Sequence, residues 1–183
     1  TLTLNQMTVT HIAVNGDFEA GATTPIAEAT GQHPIVYKEL VYAAALCNDA
    51  SVDPDHAGAI IGDPTEGALI HMAQAFGVDH EALEDTYPRR FEQPFDSDRK
   101  RMTTVHVISG NWISYTKGAV DEMLPLCTHI LTADGVRPIT EGDRANILRL
   151  CLSMSEQALR VLGFATRTLT GEQIPEEDGD NVE

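Results

Sequence analysis

Apolar and polar positions along the chain change period several times, and each change marks an element. Met102-Thr-Thr-Val-His-Val-Ile108 and Trp112-Ile-Ser-Tyr-Thr-Lys117 are rich in β-branched and aromatic residues and flank Ser109-Gly-Asn111. That pattern predicts two strands joined as a hairpin, with a third strand over 89–95. A second hairpin is expected where His129–Thr132 and Val136–Ile139 meet at Ala133-Asp-Gly135. Another strand is expected over Arg160-Val-Leu-Gly-Phe-Ala-Thr166, closing the core. Short strands at Thr8–Thr10 and Ile12–Val14 precede a turn at Asn15-Gly16, and a loop broken by Gly21, Pro25, Gly31 and Pro34 follows.

Helical spacing alternates with these strands. Residues 37–48 read as an Ala-rich, largely buried helix, and 49–58 as polar and irregular. Asp63-Pro64-Thr65-Glu66 is a helix start, with Asp at the N-cap, Pro at N1 and Glu at N3. That helix is predicted to stop at Gly77. Further helices are expected over about 79–86, about 119–126 and from Thr140 to about Ala158. In the last, Ile147, Leu148, Cys151, Leu152 and Leu159 supply an apolar face. Consecutive hairpins with helices between them predict an α+β fold, an antiparallel β-sheet with helices packed against it.

Charge changes the picture. The net charge of −16 argues against a nucleic-acid partner, which requires a basic surface. Residues 1–88 carry 13 acids and one base, Lys38, whereas five of the 12 bases fall within 89–101. A local positive site on a negative body follows. No apolar run is long enough to cross a bilayer, so direct membrane insertion is not expected. The opening Thr1-Leu-Thr, without an initiator Met, reads as an excised fragment. Residues 171–183 hold six acids and no base and read as an exit linker after a domain over 1–170.

Candidate chemistry is narrow. Cys47, Cys127 and Cys151 show no C-x-x-C pairing and fit small buried thiols in a reducing compartment. The seven histidines have no metal-ligand spacing, and neither G-x-x-x-x-G-K-[ST] nor G-x-G-x-x-G occurs. In Gln93-Pro-Phe-Asp-Ser-Asp-Arg-Lys-Arg-Met102, an aromatic ring sits just ahead of Arg99, Lys100 and Arg101. A π-face for a base and cations for phosphates is what a nucleotide needs; a hairpin with a solvated basic edge would give the same residues.

Three segments in order, Gly62-Asp-Pro-Thr-Glu-Gly-Ala-Leu69, Phe95–Met102 and Lys117-Gly-Ala-Val-Asp121, resemble the nucleotide-binding domain of type II P-type cation-transporting ATPases. Their wording is most similar to the calcium-pump branch. The resemblance implies that Phe95 stacks on adenine, that Lys100 helps hold the nucleotide near its phosphates, and that Lys117 lies at the mouth of the adenine pocket. It further implies that Gly118 admits the ligand to the backbone, that Glu66 accepts from the adenine amino group, and that Arg160 reaches a phosphate while Leu162 lines the pocket. Val120 and Asp121 depart from the family's Pro and Glu. Structural readings stand beside three of these roles: Glu66 as the N3 member of a capping box, Arg160 as a base closing a helix C-terminus, and Leu162 as core.

Thr1–Met7 resembles the segment that follows the phosphorylated Asp in the family. By that resemblance the nucleophile, the magnesium-binding carboxylates and the transmembrane path belong to other parts of a parent pump. This chain is then expected to contain no catalytic residue and no metal site. ATP or ADP would bind with Mg2+ carried in on the nucleotide. The partners implied are the phosphorylation and transmembrane domains of the same parent, with the fragment at the cytoplasmic face of a membrane. The other functional readings are a stand-alone or degenerate adenine-nucleotide-binding domain with a regulatory or interaction role.

Overall fold

A computed structural model describes residues 7–14, 24–25, 34–56 and 59–174. The expected Asn15-Gly16 turn, the likeness at Thr1 to Gln6 and residues 175–183 of the acidic segment lie outside the described residues. In chain order the elements are β1 (His11–Ile12), β2 (Thr24–Pro25), α1 (Pro34–Leu46), β3 (Ser51–Val52), β4 (Ile60–Ile61), α2 (Pro64–Ala75) and α3 (His80–Thr86). There follow β5 (Phe91–Asp96), β6 (Arg101–Ile108), β7 (Asn111–Gly118), α4 (Val120–Met123), β8 (His129–Thr132), β9 (Gly135–Pro138), α5 (Glu141–Glu156) and β10 (Gly163–Leu169). Short 3₁₀ turns follow α4 and β10.

The main sheet runs β10–β7–β6–β5 and is antiparallel throughout. Ser109 and Gly110 link β6 to β7 with φ of 51° and 81°, the paired left-handed conformations of a hairpin turn that follows strand twist. One face of the sheet carries Met102, Tyr115 and Phe164 into a core shared with α1, α2 and α3, and Leu162, just before β10, packs against it. The other gathers Phe91, Val105, Trp112, Leu169 and Ile174 into a smaller cluster.

The last turns of α1 are buried: Val41, Ala43, Ala44, Ala45 and Leu46 are shielded from water, as is Cys47 just beyond, whereas Ile35 and Lys38 near its start are exposed. The apolar end belongs inside, where its alanines allow close approach of neighbours, and Lys38 and Glu39 lie nearer the start of the helix. α1 begins at Pro34, three residues before the sequence pattern suggested, because proline suits the first helical turn. α2 follows its sequence signal at both ends. Asp63 Oδ1 accepts from the N–H groups of Thr65 (2.7 Å) and Glu66 (3.4 Å). At the far end Gly77, φ 78°, closes the helix as Val78 N–H bonds Ala73 O and Gly77 N–H bonds Gln74 O.

Three expectations shift. Of the N-terminal strands, His11–Ile12 alone is a strand among the described residues, paired with Thr24–Pro25. The polar stretch after α1 contains β3, held by β4. The last strand begins at Gly163 rather than Arg160. α5 ends near Glu156, Ala158 takes a left-handed φ of 60°, and the ladder starts only where Gly163 meets Gly118, the last residue of β7.

α5 starts as expected, with Thr140 and Asp143 forming a reciprocal capping box. Arg137 grips Asp143 with both terminal nitrogens, at 2.6 and 2.9 Å, tying the β8–β9 hairpin to the helix. Its apolar face is narrower than the sequence spacing implied: Leu150 is buried and Ile147 and Cys151 half-buried, but Leu148 and Leu152 are exposed.

Candidate nucleotide site

The sheet register brings the Phe95–Met102 and Lys117–Asp121 motifs to one level, and Glu66 of the Gly62–Leu69 motif reaches that level through Lys117. Asp96 pairs with Arg101, Arg101 with Gly118, and Gly118 with Gly163, so a single row crosses all four strands. Phe95 precedes Asp96 on β5, Lys100 precedes Arg101 in the turn, Lys117 precedes Gly118 on β7, and Arg160 and Leu162 lie in the segment just before Gly163. Residues more than sixty positions apart in sequence therefore share one end of the sheet.

Phe95 sits where the β5–β6 register slips between Gln93 and Asp96. The irregularity leaves the ring 63% exposed, an unusual state for a large apolar side chain on a strand. Beyond it, Asp96 folds the hairpin tip: its Oδ1 accepts from Asp98 N–H and Arg99 N–H, both at 2.9 Å. Those bonds, Arg99's first, hold the Asp96 carboxyl below its ordinary value. Asp96 O accepts from Lys100 N–H at 2.7 Å, and Lys100 adopts φ 53°. A non-glycine residue held there stores about 1–3 kcal/mol. Lys100 Nζ lies 2.8 Å from Glu122 Oε1, and that hydrogen bond, with the nearby charge of Asp121, raises the lysine above its usual value. Arg99 Nη2 donates to Pro94 O at 3.0 Å.

Lys117 is 7% exposed, and its ammonium donates to Glu66 Oε1. Glu66 Oε2 accepts from Asp49 N–H at 3.2 Å. The carboxylate that sequence reasoning left open between capping and ligand contact thus turns away from the helix cap towards Lys117 and the end of α1. Breaking a buried pair of this kind by removing one partner typically costs about 3–5 kcal/mol.

Asn48 holds this junction together. It is fully buried, donates from Nδ2 to Ala44 O and to Glu66 O (both 3.1 Å), and accepts at Oδ1 from Ala50 N–H at 2.9 Å. Its own carbonyl accepts from Arg89 Nη2 at 2.6 Å, and Arg89 also bonds Asp49 at 2.8 Å. Sequence reasoning passed over Asn48 and Glu122. The only signals were a lone polar residue ending an Ala-rich helix and an acid one position past the Lys117–Asp121 motif.

Gly118 has a structural reason to lack a side chain. A Cβ there would fall 2.4 Å from Lys100 O and 2.6 Å from Arg101 Cβ. Arg160 is exposed between α5 and β10, and Leu162 is half-buried against the main core. Arg160 also acts on the start of α2. Desolvation would raise the Asp63 carboxyl, but hydrogen bonds from Thr65 and Glu66 and the charge of Arg160 hold it below its ordinary value. Thr65 Oγ1 donates to Met7 Sδ at 3.3 Å, bringing the start of the described chain to the same place.

An exposed ring and several cations thus stand near one end of a sheet whose Lys117 is tied to the capped helix α2 through Glu66. Residues 36–183 match the family described as P-type ATPase, cytoplasmic domain N, and the chain belongs to that family. It is 40% identical over 95% of its length to calcium-transporting ATPase 1 of Bacillus cereus, of which it spans 19%. It is 34% identical over 92% of its length to a calcium-transporting ATPase of Listeria monocytogenes, spanning 18% of that protein. Across its whole length it is 35% identical to probable cation-transporting ATPase F of Mycobacterium tuberculosis, spanning 21%. The chain thus corresponds to about a fifth of these relatives. Among the described residues no helix is long and apolar enough to cross a membrane.

Proposed function

We propose that this chain binds ATP and presents it to a separate phosphorylation domain of a P-type ATPase that moves a cation, calcium, across a membrane. The observation that carries the reading is the row Asp96–Arg101–Gly118–Gly163, with the exposed Phe95 ring and the cations Lys100 and Lys117 next to it in the chain and Arg160 three residues before its last member. Phe95 supplies the stacking face for adenine, a contact worth about 1–3 kcal/mol. Glu66, oriented by Lys117 and Asp49, accepts from the adenine amino group, and Leu162 and Gly118 border the base. Lys100 and Arg160 face the phosphates, Arg160 through a fork of donors suited to phosphate oxygens.

The residues present fit an adenine nucleotide: a solvent-facing ring and basic side chains beside an oriented carboxylate. Magnesium travels with the phosphates and is ligated by the phosphorylation domain, which also holds the aspartate that accepts the terminal phosphate. The domain works at the cytoplasmic face, delivers ATP and releases ADP in each cycle, and performs no chemistry itself. Relatives named as calcium-transporting ATPases support calcium as the ion.

Calorimetric titration with ATP, ADP and AMP tests this. Because the terminal phosphate is gripped elsewhere, ATP and ADP should bind within a few-fold of each other, under about 1.4 kcal/mol apart, in the high-micromolar to millimolar range. A hundredfold preference for ATP would mean that this chain owns a terminal-phosphate site and would overturn the delivery mechanism. Absence of binding to all three would favour a degenerate interaction domain.

A further inference from the structure

Each cation assigned to the nucleotide has an acid set against it: Glu66 against Lys117, Asp63 in the field of Arg160, and Glu122 against Lys100. The pairs differ in accessibility. The Lys117 and Glu66 side chains are 9% and 16% exposed, whereas those of Lys100 and Glu122 are 51% and 39% exposed. The first pair is fixed in place, since desolvated partners do not exchange readily. In the second, both ends touch water, where an ion pair is weak and changes partner freely.

The second pair is nevertheless built rather than incidental. Lys100 O accepts from Ala119 N–H at 3.0 Å, so the loop bearing Lys100 is bonded to the residue that starts α4, and Glu122 lies in the first turn of that helix. Ala119 makes no side-chain cap to α4, and Glu122's carboxylate turns to Lys100. A tethered carboxylate at 2.8 Å acts at high effective concentration on the ammonium it faces.

We infer that Glu122 is a positioning residue of the nucleotide site, a tethered counter-ion on Lys100 that the phosphate chain of the ligand must displace. The inference rests on the proposed role of Lys100 towards phosphates. Displacement lowers the affinity for phosphorylated ligands and leaves the base contacts untouched. An adenine nucleotide, with several anionic oxygens, can exchange for one carboxylate, whereas adenosine has nothing to exchange. Glu122 also returns to Lys100 as ADP leaves, which keeps the product from lingering.

Titration of ATP, ADP and adenosine against the 183-residue chain, the Glu122→Gln and Lys100→Gln variants and the double variant tests this. At low ionic strength Glu122→Gln should tighten ATP and ADP by about two- to five-fold, with adenosine unchanged and the gain shrinking in high salt. In the Lys100→Gln background the same substitution should do nothing. An unchanged or weakened ATP affinity in Glu122→Gln overturns the inference, as does a gain that persists without Lys100. If adenosine and ATP bind equally in the unmodified chain, the phosphate role of Lys100 is lost and the inference falls with it. If neither binds, the nucleotide reading itself is wrong.

Discussion

The carbonyl oxygen of Lys100 occupies the space that a side chain at Gly118 would need, 2.4 Å from an ideal Cβ. Gly118 is thereby where β7, which carries Lys117, comes closest to the Lys100 backbone. Gly118→Ala must push apart the β6 and β7 backbones, because the obstruction is main chain and cannot rotate away. The expected loss is about 1–3 kcal/mol in urea denaturation, together with weaker ATP binding as Lys100 and Lys117 move apart. A stability change below about 0.5 kcal/mol, the range of an ordinary surface substitution, would show that the strands give way freely.

Phe95→Ala should leave the fold intact, since the ring lies outside the core, while weakening ATP by about 1–3 kcal/mol. Circular dichroism and a parallel nucleotide titration separate the two effects. A native spectrum with an unchanged dissociation constant removes Phe95 from the site.

Glu66 connects stability to selectivity. In the proposed site the carboxylate would accept from the adenine amino group but face a carbonyl in guanine, so Glu66→Gln, which adds a donor and loses the charge, should narrow the preference for ATP over GTP. Glu66→Ala should cost about 3–5 kcal/mol, because Lys117 then stays buried without a counter-charge. Equal ATP and GTP affinities in the unmodified chain would assign Glu66 to structure alone.

Local signals read correctly from the sequence were those whose partners lie within a few residues. Asp63-Pro64 starts α2, Ser109-Gly110 turns the central hairpin and Thr140 with Asp143 opens α5, each by contacts along the chain itself. The three motifs were legible as a set through their resemblance to a known family; residue types alone left a solvated basic hairpin open. What stayed hidden depends on distant partners. Glu66 could not be seen to face Lys117, 51 residues away, rather than its own cap. The start of β10 is fixed by where β7 ends, not by the apolar content of Arg160–Leu162. Leu148 and Leu152 have helical spacing but lie outside the stripe of α5 that is covered, which no pattern within the helix records.

Buried His106 gives a pH test of the fold. Nδ1 lies 2.8 Å from Tyr87 O and Nε2 2.9 Å from Thr104 Oγ1. Burial holds the imidazole below its usual value, outweighing the raising effect of the Tyr87 carbonyl. Above about pH 6.5 both folded and unfolded chains carry it neutral. As pH falls below that value the unfolded chain takes up a proton that the folded one resists, so this contribution to stability declines towards the lower folded value. Urea midpoints at about pH 7.5 and about pH 5.5 should differ in that direction, and less so in His106→Gln. An identical difference in both proteins would assign the pH effect to other groups.

The slip in register at Pro94 and Phe95 has a second effect, on how the protein behaves among copies of itself. β5 stands last in the sheet order, where an unpaired strand can template the addition of another chain. Proline offers no N–H to such a newcomer, and two residues opposite one break the repeat it would have to follow. The backbone that leaves a greasy ring out in water is therefore poorly suited to recruiting a foreign strand. An exposed ring and a sheet edge ill suited to pairing come from the same short stretch of chain.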